Sequence, residues 1–227
     1  MVSIRAHVIS LYLLLVGCPW QTWAESLLSG SEQEIFAKRF EEKQRATRTY
    51  QSGLKQTLQL HGLKEPIAST GRVYYQATDF FLIQFTRPAG EFMLIRGNDI
   101  YVKKNEKALA HHKLKGGKSP SNLSIQSLLA LFQNGAASMK EEFEIQMTGD
   151  RGELIVTLKP GMDDRKSRVR EIKNKLTRSN LEIRSIHVIM DESNSVLYEF
   201  LKPVRNKQLD EKLFQVPGSD PAPDTSP

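Results

Sequence analysis

The chain has 227 residues, 32 lysines and arginines against 26 aspartates and glutamates, a net charge of +6 and one cysteine. That length can bury one sizeable core, and the mild positive excess lacks the aromatic-interleaved basic motifs or zinc spacing of a nucleic-acid binder. A lone Cys18 excludes an internal disulfide framework.

The first segment reads as an export signal. Arg5 gives a positive start, Val8 to Val16 is apolar apart from Ser10, and Thr22-Trp23-Ala24 places small residues three and one positions before a cut. The apolar run is about half the roughly 20 residues that a membrane span needs. Residues 1–24 are therefore expected to be removed, leaving 25–217 as one domain that works in the periplasm. Leu15-Val16-Gly17-Cys18 also resembles a lipobox, so an acylated, membrane-anchored form stands as the alternative.

Ser31 with Glu34 has the spacing of a capping box, and Ile35, Phe36 and Phe40 predict an amphipathic helix to about Arg45. A long strand follows from Tyr50 to Leu60. Shorter ones are expected at 72–75, 80–86, 92–96 and 99–103, the last two joined by Gly97-Asn98. Neighbours this close in sequence must pair antiparallel. Ser124 opens a second helix carrying Ile125, Leu128, Leu129, Leu131 and Phe132, and ending near Gly135. Strands are predicted again at 142–147, 152–158, 181–190 and 196–201. Val169, Ile172 and Leu176 have helical spacing instead, which leaves helix and strand equally open there. From Gly218 to Pro227 the chain is too poor in apolar groups to pack.

Chemistry-bearing motifs are scarce. Gly117-Lys118-Ser119 lacks the upstream glycine of a phosphate-binding loop, because His112 stands there, and it reads as a flexible loop. His111-His112 has no nearby third ligand and reads as an exposed turn. No nucleophile elbow or zinc-protease motif occurs, so neither an enzyme nor a cofactor is expected. The unusual feature is Phe80-Phe81-Leu82-Ile83, continuing to Phe85: a strand apolar on both faces must bury both.

Together these residues resemble the outer-membrane lipoprotein carrier proteins, the LolA family. The similarity lies in Gly71-Arg72-Val73-Tyr74-Tyr75, Phe81-Leu82-Ile83-Gln84-Phe85-Thr86-Arg87-Pro88, Leu94-Ile95, Asp99-Ile100-Tyr101, the Leu-rich stretch 127–132 and the closing Tyr198-Glu199-Phe200, Asn206, Leu209-Asp210-Glu211 and Phe214. The resemblance implies an α+β, mainly antiparallel fold: an open, incomplete β-barrel of about ten strands, its concave face plugged by helices. It also implies that 169–176 is a strand.

The function so implied is that of a periplasmic carrier, a chaperone that shields acyl chains of lipoproteins or a related lipid between inner and outer membrane. Its partners would be that cargo, an inner-membrane releasing transporter and an outer-membrane acceptor, with the carrier itself a monomer. A periplasmic sensor domain that binds a regulatory protein is the competing reading. The expected lipid-binding lining is Phe81, Ile83 and Phe85 from the strand and Leu128, Leu129 and Phe132 from the lid helix. Family members often carry a gating arginine where Ala77 stands, and Ile83 replaces a tryptophan. Arg72 and Lys118 are the basic residues considered as substitutes for that gate.

Overall fold

The computed structural model describes residues 26–77, 80–104, 108–113, 143–161 and 169–216. The export segment, the helix predicted from Ser124, the Gly117-Lys118-Ser119 stretch and the tail from Gly218 lie outside the described residues.

The described chain begins with β1 (Ser26–Leu27) and one helix, α1 (Gly30–Arg45). Six strands follow: β2 (Thr49–Gln59), β3 (Ile67–Gln76), β4 (Phe80–Arg87), β5 (Phe92–Arg96), β6 (Asp99–Lys103) and β7 (Ala110–Lys113). After the segment that is not described come β8 (Phe143–Gly149), β9 (Glu153–Pro160), β10 (Glu171–Thr177), β11 (Ile183–Ile189) and β12 (Ser195–Arg205). A single turn of 3-10 helix, Glu211–Phe214, closes the described chain. The strands form one antiparallel sheet of 12, ordered β1-β8-β9-β10-β11-β12-β2-β3-β4-β5-β6-β7. It ends at β1 and β7 without closing on itself.

The helix starts two residues before the expected cap. Ser29, not Ser31, is the N-cap: its Oγ accepts the Glu32 amide, and the Ser29 amide donates to Glu32 Oε2 at 3.0 Å. The same three-residue spacing occurs at both places, and Ser29-Glu32 prevails because Arg178 Nη2 reaches Glu32 Oε1 at 3.3 Å and anchors that carboxylate. Glu32 is consequently held below the usual carboxylate range, chiefly by its bonds to Ser29. Ser29→Ala is expected to cost about 1 kcal/mol in equilibrium denaturation, the usual worth of such a cap.

The stretch with helical spacing is a strand. β10 pairs with β9 and β11, and its buried inward positions are Ile172, Asn174 and Leu176. Alternation was hidden because a polar residue occupies the middle inward position, while Val169 precedes the strand. His111-His112 is likewise a strand rather than a turn, pairing with β6 at the sheet edge. Its polar sequence carries no apolar alternation. His111 Nε2 meets Asp99 Oδ1 at 2.7 Å and its ring stacks on Tyr101. Among the described residues no group of three or more His, Cys, Asp or Glu could hold a metal.

The doubly apolar strand β4 buries both faces as expected. Phe81 and Ile83 join the main core with Val73, Tyr75 and Ile95, on the side of the sheet that α1 covers. Leu82 joins Tyr74 and Leu94 on the opposite face, beneath Phe214 and Val216 from the C-terminal segment. The Phe80 and Phe214 rings lie 5.4 Å apart. The short 3-10 turn thus supplies the second cover that β4 needs.

Candidate functional site

Helix α1 stands off the sheet. Phe36 and Phe40 point inward, yet between the helix and β8–β10 lies a cavity of about 520 Å³. Its roof includes Phe36, Ala37 and Phe40. Its floor is a lattice of inward side chains from three neighbouring strands. The registers set it out in rows: Ile145 and Leu158; then Met147, Val156 and Asn174; then Leu154 and Leu176. Rows along a strand repeat at roughly 6.6 Å and strands sit about 4.8 Å apart, so the floor is continuous.

Ile145, Met147 and Val156 are only half-buried, although they face the helix. A filled core would have covered them; the space above them is what leaves them accessible. A volume of this size falls within the roughly 300–1,000 Å³ range of small-molecule sites. The roof runs from Gly30 to Phe40, about 15 Å of helix, which is long enough for about a dozen methylenes in extended form.

Besides the inward Phe36 and Phe40, polar contacts hold the roof in place. The turn between β10 and β11 receives Arg39 Nη2 on the Ser179 carbonyl at 3.0 Å and Lys43 Nζ on the Asn180 carbonyl at 2.6 Å. Lys43 also pairs with Glu182 at 3.0 Å, and Arg205 of β12 pairs with the other oxygen of the same carboxylate at 3.1 Å. Arg205 further donates to Thr47 Oγ1 at 2.7 Å and lies over the Tyr50 ring. Burial, with Arg205 adding to it, holds the Lys43 ammonium below its ordinary value, and burial pushes the Tyr50 phenol up. Phe36 lies against the guanidinium groups of Arg39 and Arg178.

The six residues expected to line a cavity divide differently. Phe81 and Ile83 are fully buried in the main core and Phe85 packs against it half-buried. They sit on the same sheet but do not line the cavity beneath α1. Leu128, Leu129 and Phe132 lie outside the described residues. Ala77 packs against the core at the end of β3, its amide donating to the Arg48 carbonyl at 2.7 Å. Arg72 is exposed and alternates with the inward Val73, so it lies on the face away from α1. Lys118 is outside the described residues. The floor of β8–β10 was not singled out in the sequence; the signal available was its inward series Ile145-Met147, Leu154-Val156-Leu158 and Ile172-Leu176.

No family model and no curated protein matches the sequence. Solved structures do. MucB is similar at 10% identity, with a TM-score of 0.51 over 84% of this chain and 64% of MucB. The chain shares the fold of MucB. Other similar structures are a DUF1329 family protein from Desulfovibrio piger, at 12% identity over 80% of this chain and 96% of that one, TM-score 0.49, and a LolA superfamily protein from Nitrosomonas europaea, at 9% identity over 81% and 97%, TM-score 0.43. At such identities the likeness is one of fold alone. Within this sheet, the cavity lies between the helix and the β8–β10 flank.

Proposed function

We propose that this chain is exported to the periplasm and carries acyl chains of lipoproteins, or of a related lipid, through the aqueous space between inner and outer membrane. The observation that carries this reading is the apolar cavity of about 520 Å³ between α1 and β8–β10. Each methylene moved from water into such a space gains roughly 0.8 kcal/mol, so a chain of about a dozen is held by something near 10 kcal/mol before the costs of ordering. A carrier must also let go. Polar contacts together with the inward Phe36 and Phe40 hold the helix on its flank, and release of cargo requires the roof to lift against them.

Of the lining expected from the sequence, Phe81 and Ile83 are packed in the main core beneath the sheet's inner face, while Phe85 and the lid residues Leu128, Leu129 and Phe132 belong to the same proposal as further contacts for an acyl chain. Cargo arrives from an inner-membrane releasing transporter and leaves to an outer-membrane acceptor, and the carrier acts as a monomer. The signal-like residues 1–24 support export, followed by the carrier domain 25–217 and the Pro-rich tail.

The test is equilibrium binding of a fluorescent fatty acid to delipidated protein, with bound lipid identified by mass spectrometry after purification from an exporting host. Saturable binding at one site, relieved by unlabelled fatty acid, supports the carrier. Absence of saturable binding by a protein that remains folded overturns it.

A further inference from the structure

Asn174 is out of place. It is 1% exposed on the cavity floor, and its carboxamide oxygen has no hydrogen-bond partner among the described residues. Its neighbours within the sheet are apolar. Val156 and Ile186 stand beside it across β9 and β11, Met147 lies one strand beyond Val156, and Ile172 and Leu176 flank it along β10. A buried carbonyl without a partner is costly, and a leucine here would continue the floor without that cost. The strand is otherwise well formed, so the local fold does not require a polar residue.

Resting on the acyl-binding reading above, we infer that Asn174 selects a ligand whose apolar chain carries a hydrogen-bond donor part-way along its length, a hydroxyl or an amide N–H. The donor meets the carboxamide from the cavity side, which requires the side chains that cover Asn174 to yield to the ligand. Placement fixes the position of the donor: Asn174 lies in the middle row of the floor, with an apolar row on each side. An apolar stretch must therefore extend both ways from the donor, which describes a mid-chain group and not a headgroup. A headgroup would instead lie at the rim, near the exposed Glu34.

Oleic acid and ricinoleic acid separate these ideas, since they differ by one mid-chain hydroxyl. An N-alkyl amide of equal length, with its N–H mid-chain, tells an amide source from a hydroxylated one. Each is titrated against the wild type and Asn174→Leu. The wild type is expected to favour at least one donor-bearing probe over oleic acid. In Asn174→Leu that ratio should move towards oleic acid by about tenfold, the worth of one buried hydrogen bond together with the cost of an unmatched donor. Asn174→Ala, which removes the carboxamide without adding bulk, should shift the ratio in the same direction. If all probes bind but their ratios do not change in either variant, the role given to Asn174 is wrong while the acyl site stands. If oleic acid does not bind the wild type, the acyl reading itself falls.

Discussion

Replacing Glu182 by alanine should lower the stability of the domain by about 3 kcal/mol, a fall in Tm of roughly 6–12 °C for a domain of this size. The carboxylate holds Lys43 from α1 and Arg205 from β12, and all three side chains are 20% exposed or less. Removing it leaves two cations facing each other in a largely desolvated place. The loss is therefore that of uncompensated charge as well as of two ion pairs. Lys43 keeps its bond to the Asn180 carbonyl, and Arg205 keeps Thr47 and Tyr50, so the fold should survive. The comparison is Lys175→Ala. Its partner Glu153 lies at 2.7 Å, but both side chains are more than two-fifths exposed, and the change should stay within about 1 kcal/mol. Urea denaturation of the two variants reads both numbers. Equal effects would mean that the Glu182 cluster does not tie the helix down.

The second large effect concerns the cavity directly. Ala37→Trp projects an indole from the roof into the space above the floor. Displacing about four methylenes of an acyl chain costs roughly 3 kcal/mol, so fatty-acid affinity should fall by about a hundredfold. Stability should hold or rise, because the ring enters open space instead of a packed core. Ile35→Trp is the control: Ile35 is on the same helix but 58% exposed, and binding should stay within about twofold. Titration of a fluorescent fatty acid, with thermal melts alongside, separates lost binding from lost folding.

Much of the fold was legible because period-two alternation is strong wherever one face is buried. The sheet around β2 to β6 follows from it, and the Gly97-Asn98 turn fixes one hairpin. Where alternation is interrupted by a polar inward residue, as at Asn174, the spacing alone looks helical; the resemblance implied a strand there, and pairing with β9 and β11 shows it. β7 was missed for a related reason: Ala110-His111-His112-Lys113 is an edge with no apolar face. The helix start shifted by two residues because Ser29-Glu32 and Ser31-Glu34 share one spacing, and the deciding contact, Arg178, comes from 146 residues away. The site was less legible still. Aromatic density drew attention to β4, but that strand's two faces are covered by the main core and the C-terminal turn. The cavity lies where a helix stands off smaller aliphatic side chains, and no local pattern reports the height of a helix above a sheet.

A photoreactive fatty acid carrying its diazirine mid-chain tests the central claim most directly. After irradiation and peptide mapping, adducts are expected on the cavity walls: Phe36, Ala37 or Phe40 on the helix and Met147, Val156 or Asn174 on the floor, all suppressed by excess unlabelled fatty acid. Saturable labelling that leaves both α1 and β8–β10 unmarked would contradict the account.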